Sequence, residues 1–134
     1  MGGLGRALLV AGAVLLLGTA ALHASGCEMV AGWLEELPHQ QSRGLQLVWL
    51  TDSLSWAIVA SAWLVTAYRP DQSWRRASVV LSAIPLLTGA GIVFIDPTFF
   101  GGYLVLASGL LGAVGAALSD NFADRKRSNN TESN

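Results

Sequence analysis

Four apolar stretches, at residues 7–24, 45–68, 77–95 and 99–118, dominate this chain and carry almost no charge. The hydrocarbon core of a bilayer is roughly 30 Å thick, so a helix rising 1.5 Å per residue needs about 20 apolar residues to cross it. Each stretch is of that length. In hydrocarbon every backbone polar group must be satisfied within its own segment or within a closed barrel. Four segments are too few for a barrel and too long for its strands, so the spans are helices. Composition agrees: 52% of residues are apolar and 13% charged, about half the charge of an average soluble domain. Mean hydropathy is +0.48. The expected fold is all-α, an integral membrane four-helix transmembrane bundle filling residues 1–119.

The same numbers exclude several classes. A single Cys rules out a disulfide scaffold within the chain. A net charge of −1 gives no basic surface for phosphates, so no nucleic-acid partner is expected. Only residues 120–134, polar and rich in Asn and Ser, have the composition of a disordered tail.

Lys and Arg in short loops set orientation. Arg69, Arg75 and Arg76 lie between the second and third spans, and Arg125, Lys126 and Arg127 in the tail. The loop after the first span holds Arg43 against Glu28, Glu35 and Glu36, and the turn after the third holds Asp96 and no cation. Both termini are therefore expected in the cytoplasm, in a membrane most like the bacterial inner membrane. In the outer loop, Met29, Val30, Trp33, Leu34 and Leu37 recur at helical spacing with the glutamates mostly opposite. That pattern predicts a short amphipathic helix over 28–37 on the outer membrane face, ended by Pro38. Asp96-Pro97 predicts a tight turn joining spans three and four, Pro70-Asp71 another between spans two and three, and Pro85 a kink in span three.

Residues 24–27, Ala-Ser-Gly-Cys, follow Arg6 and an apolar run, and so resemble a bacterial lipoprotein signal. That resemblance implies lipidation of Cys27 after cleavage. Ala24 stands where such signals usually carry Leu, and the run exceeds the roughly 7–15 residues of a signal core. The first span is expected to stay intact.

Helices in lipid associate through close packing of small residues. Span four offers Gly101, Gly109, Ala113 and Ala117 in one row and Ser108, Gly112 and Ala116 in the next; span one offers Gly12, Gly18 and Ala20. Such rows fit packing within the bundle or a homo-oligomer interface.

Asp52 is the most informative residue. An acid inside a span costs about 2.5–3.5 kcal/mol on insertion scales, so it must face the bundle interior or water, or be paired. Trp49, Trp56 and Trp63 recur every seven residues on its face, and Ser53 is adjacent. One acid on an aromatic wall fits a pocket for a flat apolar molecule or a cation; Trp49 and Trp63 also stand where interface anchors stand. His23 ends span one on the same side, one to two turns from Asp52 in depth, and can serve as its acid–base partner. Asp96 lies at the same outer end. The inner half reads as nearly all aliphatic.

No CxxC, HExxH, P-loop, GxSxG or deep His pair is present, so no cofactor or metal is expected. The leading functional expectation is an outward-opening intramembrane site that binds or transforms an apolar or lipid-like molecule by acid–base chemistry. Asp52 and His23 would be the catalytic pair; Trp49, Trp56, Ser53 and Asp96 would contact the substrate. The alternatives are a proton-coupled transporter or channel subunit, and an accessory subunit of a larger membrane complex that uses the small-residue rows as its contact face.

Overall fold

The fold is that of a computed structural model, which describes residues 2–69 and 71–131, with side chains described over 3–69 and 71–119. Every regular element among the described residues is a helix: α1 (Gly2–Ser25), α2 (Cys27–Trp33), α3 (His39–Tyr68), α4 (Gln72–Leu81), α5 (Ala83–Ile95) and α6 (Phe100–Thr131). Four helical segments are long and apolar enough to cross a membrane: Gly3–Ser25, His39–Tyr68, Gln72–Ile95 and Phe100–Ser119.

The third segment is one apolar run but two helices. α4 stops at Leu81 and α5 starts at Ala83. The cause is Pro85, which has no N–H to give the Leu81 carbonyl and whose ring crowds it. The break lets a single segment serve two partners. α4 packs against α3 and α6, whereas α5 packs almost wholly on α6.

α1 and α6 form the central pair, and small residues bring their backbones together. A Cβ on Gly12 would stand 3.1 Å from the Gly112 nitrogen, and one on Gly115 would stand 2.8 Å from the Leu9 nitrogen. The α5–α6 seam uses the other row: a Cβ on Gly89 would meet the Leu106 nitrogen at 2.6 Å, and one on Gly109 the Leu86 nitrogen at 3.0 Å. Gly109 and Gly112 of the two small-residue rows of span four are thus packed within the chain, whereas Ala117 is exposed. Around them the buried core gathers Leu9, Ala13, Leu16, Trp56, Val59, Trp63, Val105 and Ala116.

The end of the bundle that carries Arg6, Arg69, Arg75 and Arg76 is called the basic end below, and the opposite one the acidic end. The basic end is not the aliphatic plug that the sequence pattern predicts. Thr66 Oγ1 lies 2.7 Å from Ser78 Oγ, Ser82 Oγ donates to the Ser78 carbonyl at 2.7 Å, and all three hydroxyls are buried. Each hydroxyl is bonded, as a dry interior requires. Arg75, only 6% exposed, donates from Nη1 to the Ser119 carbonyl at 2.8 Å and so fixes α4 to α6. The Arg6 guanidinium sits 4.6 Å from the Tyr68 ring centroid and clips α1 to α3. Asp71 caps α4, its carboxylate accepting from the Trp74 amide at 3.0 Å; the Pro70 half of that turn pair lies outside the described residues.

At the acidic end, α2 ends at Trp33, short of the Leu37 that the apolar spacing predicts. Pro38 stands as the N-cap of α3. The backbone of α6 continues as helix to Thr131, where composition predicts disorder from residue 120. Extending a formed helix costs far less than nucleating one. Residues 132–134 of that tail lie outside the described residues.

Candidate functional site at the acidic end

The acidic-end halves of α1 and α3 bring four of the predicted residues together. His23 Nδ1 lies 2.9 Å from Ser53 Oγ. The imidazole stacks on the Trp49 ring, with centroids 3.8 Å apart and planes 11° apart. It meets Trp56 in a tilted contact at 4.9 Å. His23 and Ser53 therefore share one depth. Trp49 Nε1 donates to the His23 carbonyl at 2.6 Å. That carbonyl also accepts from the Gly26 amide at 3.1 Å, so Trp49 adds a second bond at the end of α1.

The bond at Nδ1 leaves Nε2 uncommitted among the described residues. If Ser53 donates to Nδ1, then Nε2 carries the proton; if Nδ1 donates to Ser53, then Nε2 is a lone-pair base. Ser53 can turn its own proton to the Trp49 carbonyl at 3.4 Å. Rotation of the Ser53 hydroxyl thus accommodates either neutral tautomer of the imidazole.

Asp52 is exposed. Its charge acts on His23, but no hydrogen bond joins the two among the described residues, so the imidazole's direct partner is Ser53. The position of Asp52 on α3 matters more than its exposure alone. Trp56, Val59 and Trp63 follow it at the 4-3-4 spacing of one helix face, and they are 2%, 1% and 0% exposed. Asp52 and, one turn earlier, Val48 continue that inward-facing stripe into the open.

The gap has a cause in the fold. α1 covers one flank of α3 along its length, while α4 meets the other flank only near Trp63 and Thr66. Beyond the Ser82 break, α5 packs mainly on α6 and touches α3 only slightly. The α5–α6 hairpin nonetheless reaches this height. His23 stands eleven residues, about 16 Å, beyond Gly12, and Gly101 stands eleven residues beyond Gly112, the neighbour of Gly12. The flank of α3 that carries Asp52 and Val48 is thus left exposed at the height of the hairpin. Phe100 and Tyr103, both exposed, stand near the same level.

Two predicted residues fall elsewhere. Asp96 bonds within its own turn: its Oδ1 accepts from the Thr98 hydroxyl at 2.6 Å and from the Thr98 amide at 2.9 Å. Those bonds, the hydroxyl first, hold the Asp96 carboxyl below the usual carboxylate range. Trp63 is no interface anchor. It is fully buried, donates from Nε1 to the Ser78 carbonyl at 3.4 Å, and fills the space over Gly112, where a Cβ would collide with its ring. Cys27 is a free, half-buried thiol.

The chain matches no protein-family model, no curated protein and no solved structure.

Proposed function

We propose that this chain is an integral membrane protein that binds an apolar or lipid-like small molecule on the exposed flank of α3 beside Asp52. His23 and Asp52 act there as polar and acid–base groups, Trp49 and Trp56 form the wall, and Ser53 holds the imidazole. The carrying observation is that Asp52 continues the buried stripe of α3 yet is uncovered. A fold that turns an acid inward and then leaves that stretch open has room for a ligand there.

Several further observations support this reading. Leu47, Leu54, Ile58, Val80, Leu87, Phe94 and Ile95 form an exterior that is more than half exposed at each position. Water does not tolerate so large an apolar surface on a monomer; acyl chains do. Counting from Tyr68, Asp52 is sixteen residues, about 24 Å, along α3, which is inside a 30 Å core and near its acidic-end boundary. The positive-inside pattern places that end outward, with both termini in the cytoplasm, so the ligand arrives from the outer leaflet. The assembly-subunit reading keeps part of its predicted contact face: Gly12, Gly109 and Gly112 are used within the chain, while Gly18 and Ala117 stay open.

The test is tryptophan fluorescence quenching by a brominated fatty alcohol, with the full chain in neutral detergent. Saturable quenching that Trp49→Phe and His23→Ala both weaken supports the Asp52 flank as the site. Quenching that rises linearly and equally in all forms reports bulk micelle contact and overturns it.

A further inference from the structure

We infer that the basic end binds an anionic phospholipid of the leaflet it faces, its phosphate held by Arg6 and Arg69 at the corner where α1 meets α3. This inference does not rest on the Asp52 site, which lies at the opposite end. The argument starts from charge. Arg6, Arg69, Arg75 and Arg76 stand at the basic end, and Asp71 is the one carboxylate there among the described side chains. The Asp71 carboxylate accepts from the Trp74 amide at 3.0 Å as the cap of α4. No ion pair joins Arg6 or Arg69 to a carboxylate among the described residues, and both arginines are exposed.

Arg6 is not a loose surface cation. Its neighbour Gly5 fits against the end of α6, where a Cβ would stand 2.9 Å from Ser119 Oγ. That contact fixes the start of α1. From there the Arg6 guanidinium reaches over Tyr68, 4.6 Å from the ring centroid. The ring quadrupole acts on the charge, while the N–H donors lie in the guanidinium plane and stay available to a second partner. Arg69 follows Tyr68 directly in the chain, so a second cation is tethered at the same corner. Arg75 donates to the Ser119 carbonyl and adds its charge to the same layer.

The surroundings select the kind of anion. The planar fork of an arginine matches phosphate oxygens and binds two of them side by side. Tyr68 is the last residue of α3, and its ring is 62% exposed on the bundle exterior. An amphipathic ring at a span end sits at head-group level. Leu64 and Val65, half-buried one turn further into the span, and exposed Leu4 offer apolar surface next to the corner. A phosphate that arrives on a lipid meets the arginines with its charge and this apolar surface with its chains. A soluble polyanion would leave the apolar surface uncovered, and a zwitterionic head group would bring its ammonium against the arginines.

The full chain in dodecyl maltoside is titrated with dioleoyl phosphatidylglycerol or dioleoyl phosphatidylcholine, and native mass spectrometry counts the lipids retained. The first phosphatidylglycerol is expected to bind roughly 25-fold more tightly than the first phosphatidylcholine, since each of two cations near an anionic lipid is worth about fivefold. Arg6→Gln and Arg69→Gln are each expected to lower that preference about fivefold. Arg43→Gln, the same charge change at the opposite end, is expected to leave it intact. Tyr68 separates a placed site from diffuse attraction, because Tyr68→Leu removes the ring without touching the charge. It is expected to lower the preference about threefold, and Tyr68→Phe to keep it. Unchanged helical circular dichroism and phosphatidylcholine retention show that each variant is folded. Equal retention of the two lipids, equal losses in Arg6→Gln and Arg43→Gln, or a full preference in Tyr68→Leu overturns the inference. Displacement of the lipid by inorganic phosphate at low millimolar concentration makes the ligand a free anion and overturns the lipid assignment.

Discussion

Trp49, Trp56 and Trp63 share one face of α3 and do three different things. Trp49 ties down the end of α1, Trp56 supports His23, and Trp63 is the fully buried centre of the bundle. The seven-residue spacing made the shared face legible in the sequence. It could not separate the three roles, because those depend on what α1 places against Trp49 and Trp56 and what α4 and α6 place against Trp63. Gly112 is the partner that allows Trp63 in. Gly112→Ala is expected to destabilise the protein by about 1–3 kcal/mol through overpacking, and Trp63→Phe combined with it to recover part of the loss, as read by unfolding in dodecyl sulfate. Asp96 gives a second residue-scale prediction. Its carboxyl is held below the usual range by the Thr98 hydroxyl and amide. A group depressed on folding stabilises the protein above its ordinary pKa of about 3.9, and that contribution is lost as pH falls through the lower folded value. Wild type is therefore expected to lose stability more steeply than Asp96→Asn as pH drops below about 4. Parallel thermal melts across that range check it, and identical slopes would remove any role for the turn.

At the scale of elements, four spans, the Asp96 turn and a kink at Pro85 were readable from apolar runs and turn residues. What the kink does was not. A proline announces where a helix breaks, but which neighbour each half chooses depends on the glycines of a helix far along the chain. Gly89 and Gly109 draw α5 onto α6, while Thr66 and Ser78 hold α4 to α3. That division leaves the Asp52 flank of α3 exposed, so the feature on which the proposed function rests was hidden in a contact preference. The same logic explains why Thr66, Ser78 and Ser82 were missed: isolated hydroxyls in an apolar run look like packing residues until two helices bring them together. The glycines offer a paired test. A side chain at Gly115 would strike the α1 backbone, whereas nothing lies within 4 Å of a Cβ at Gly18. Gly115→Val is expected to separate α1 from α6 and lower stability by about 1–3 kcal/mol or more. Gly18→Ala is expected to be neutral or stabilising by up to about 1 kcal/mol, from helix propensity alone. Equal effects at the two positions would mean that the α1–α6 seam is not the central contact.

The bundle is polarised along its axis, with Arg6, Arg69, Arg75 and Arg76 against Asp71 at one end and Glu28, Glu35, Glu36, Asp52 and Asp96 against Arg43 at the other. The two ends also differ in rigidity of design. The basic end is locked by Arg75 on the Ser119 carbonyl, Arg6 on Tyr68 and the buried hydroxyls. The acidic end has the short α2, the exposed flank of α3 around Asp52 and the imidazole with an uncommitted nitrogen. An opening at one end with a sealed opposite end is what a binding site facing one leaflet requires; a through-path would need polar groups continuous past Trp63, and Leu9, Leu16 and Val59 close that route. The sealed end should then be the cytoplasmic one, because Lys and Arg are retained there during insertion. This is testable by labelling. With Cys27→Ser as background, Glu35→Cys in the loop after α2 and Gln72→Cys at the start of α4 are exposed positions at opposite ends. In intact cells a membrane-impermeant maleimide is expected to label Glu35→Cys and to leave Gln72→Cys untouched until the membrane is permeabilised. The reverse pattern would turn the Asp52 flank toward the cytoplasmic leaflet, and the ligand would then have to come from that side. Labelling of both positions in sealed cells would mean that the chain does not span the bilayer in this order at all.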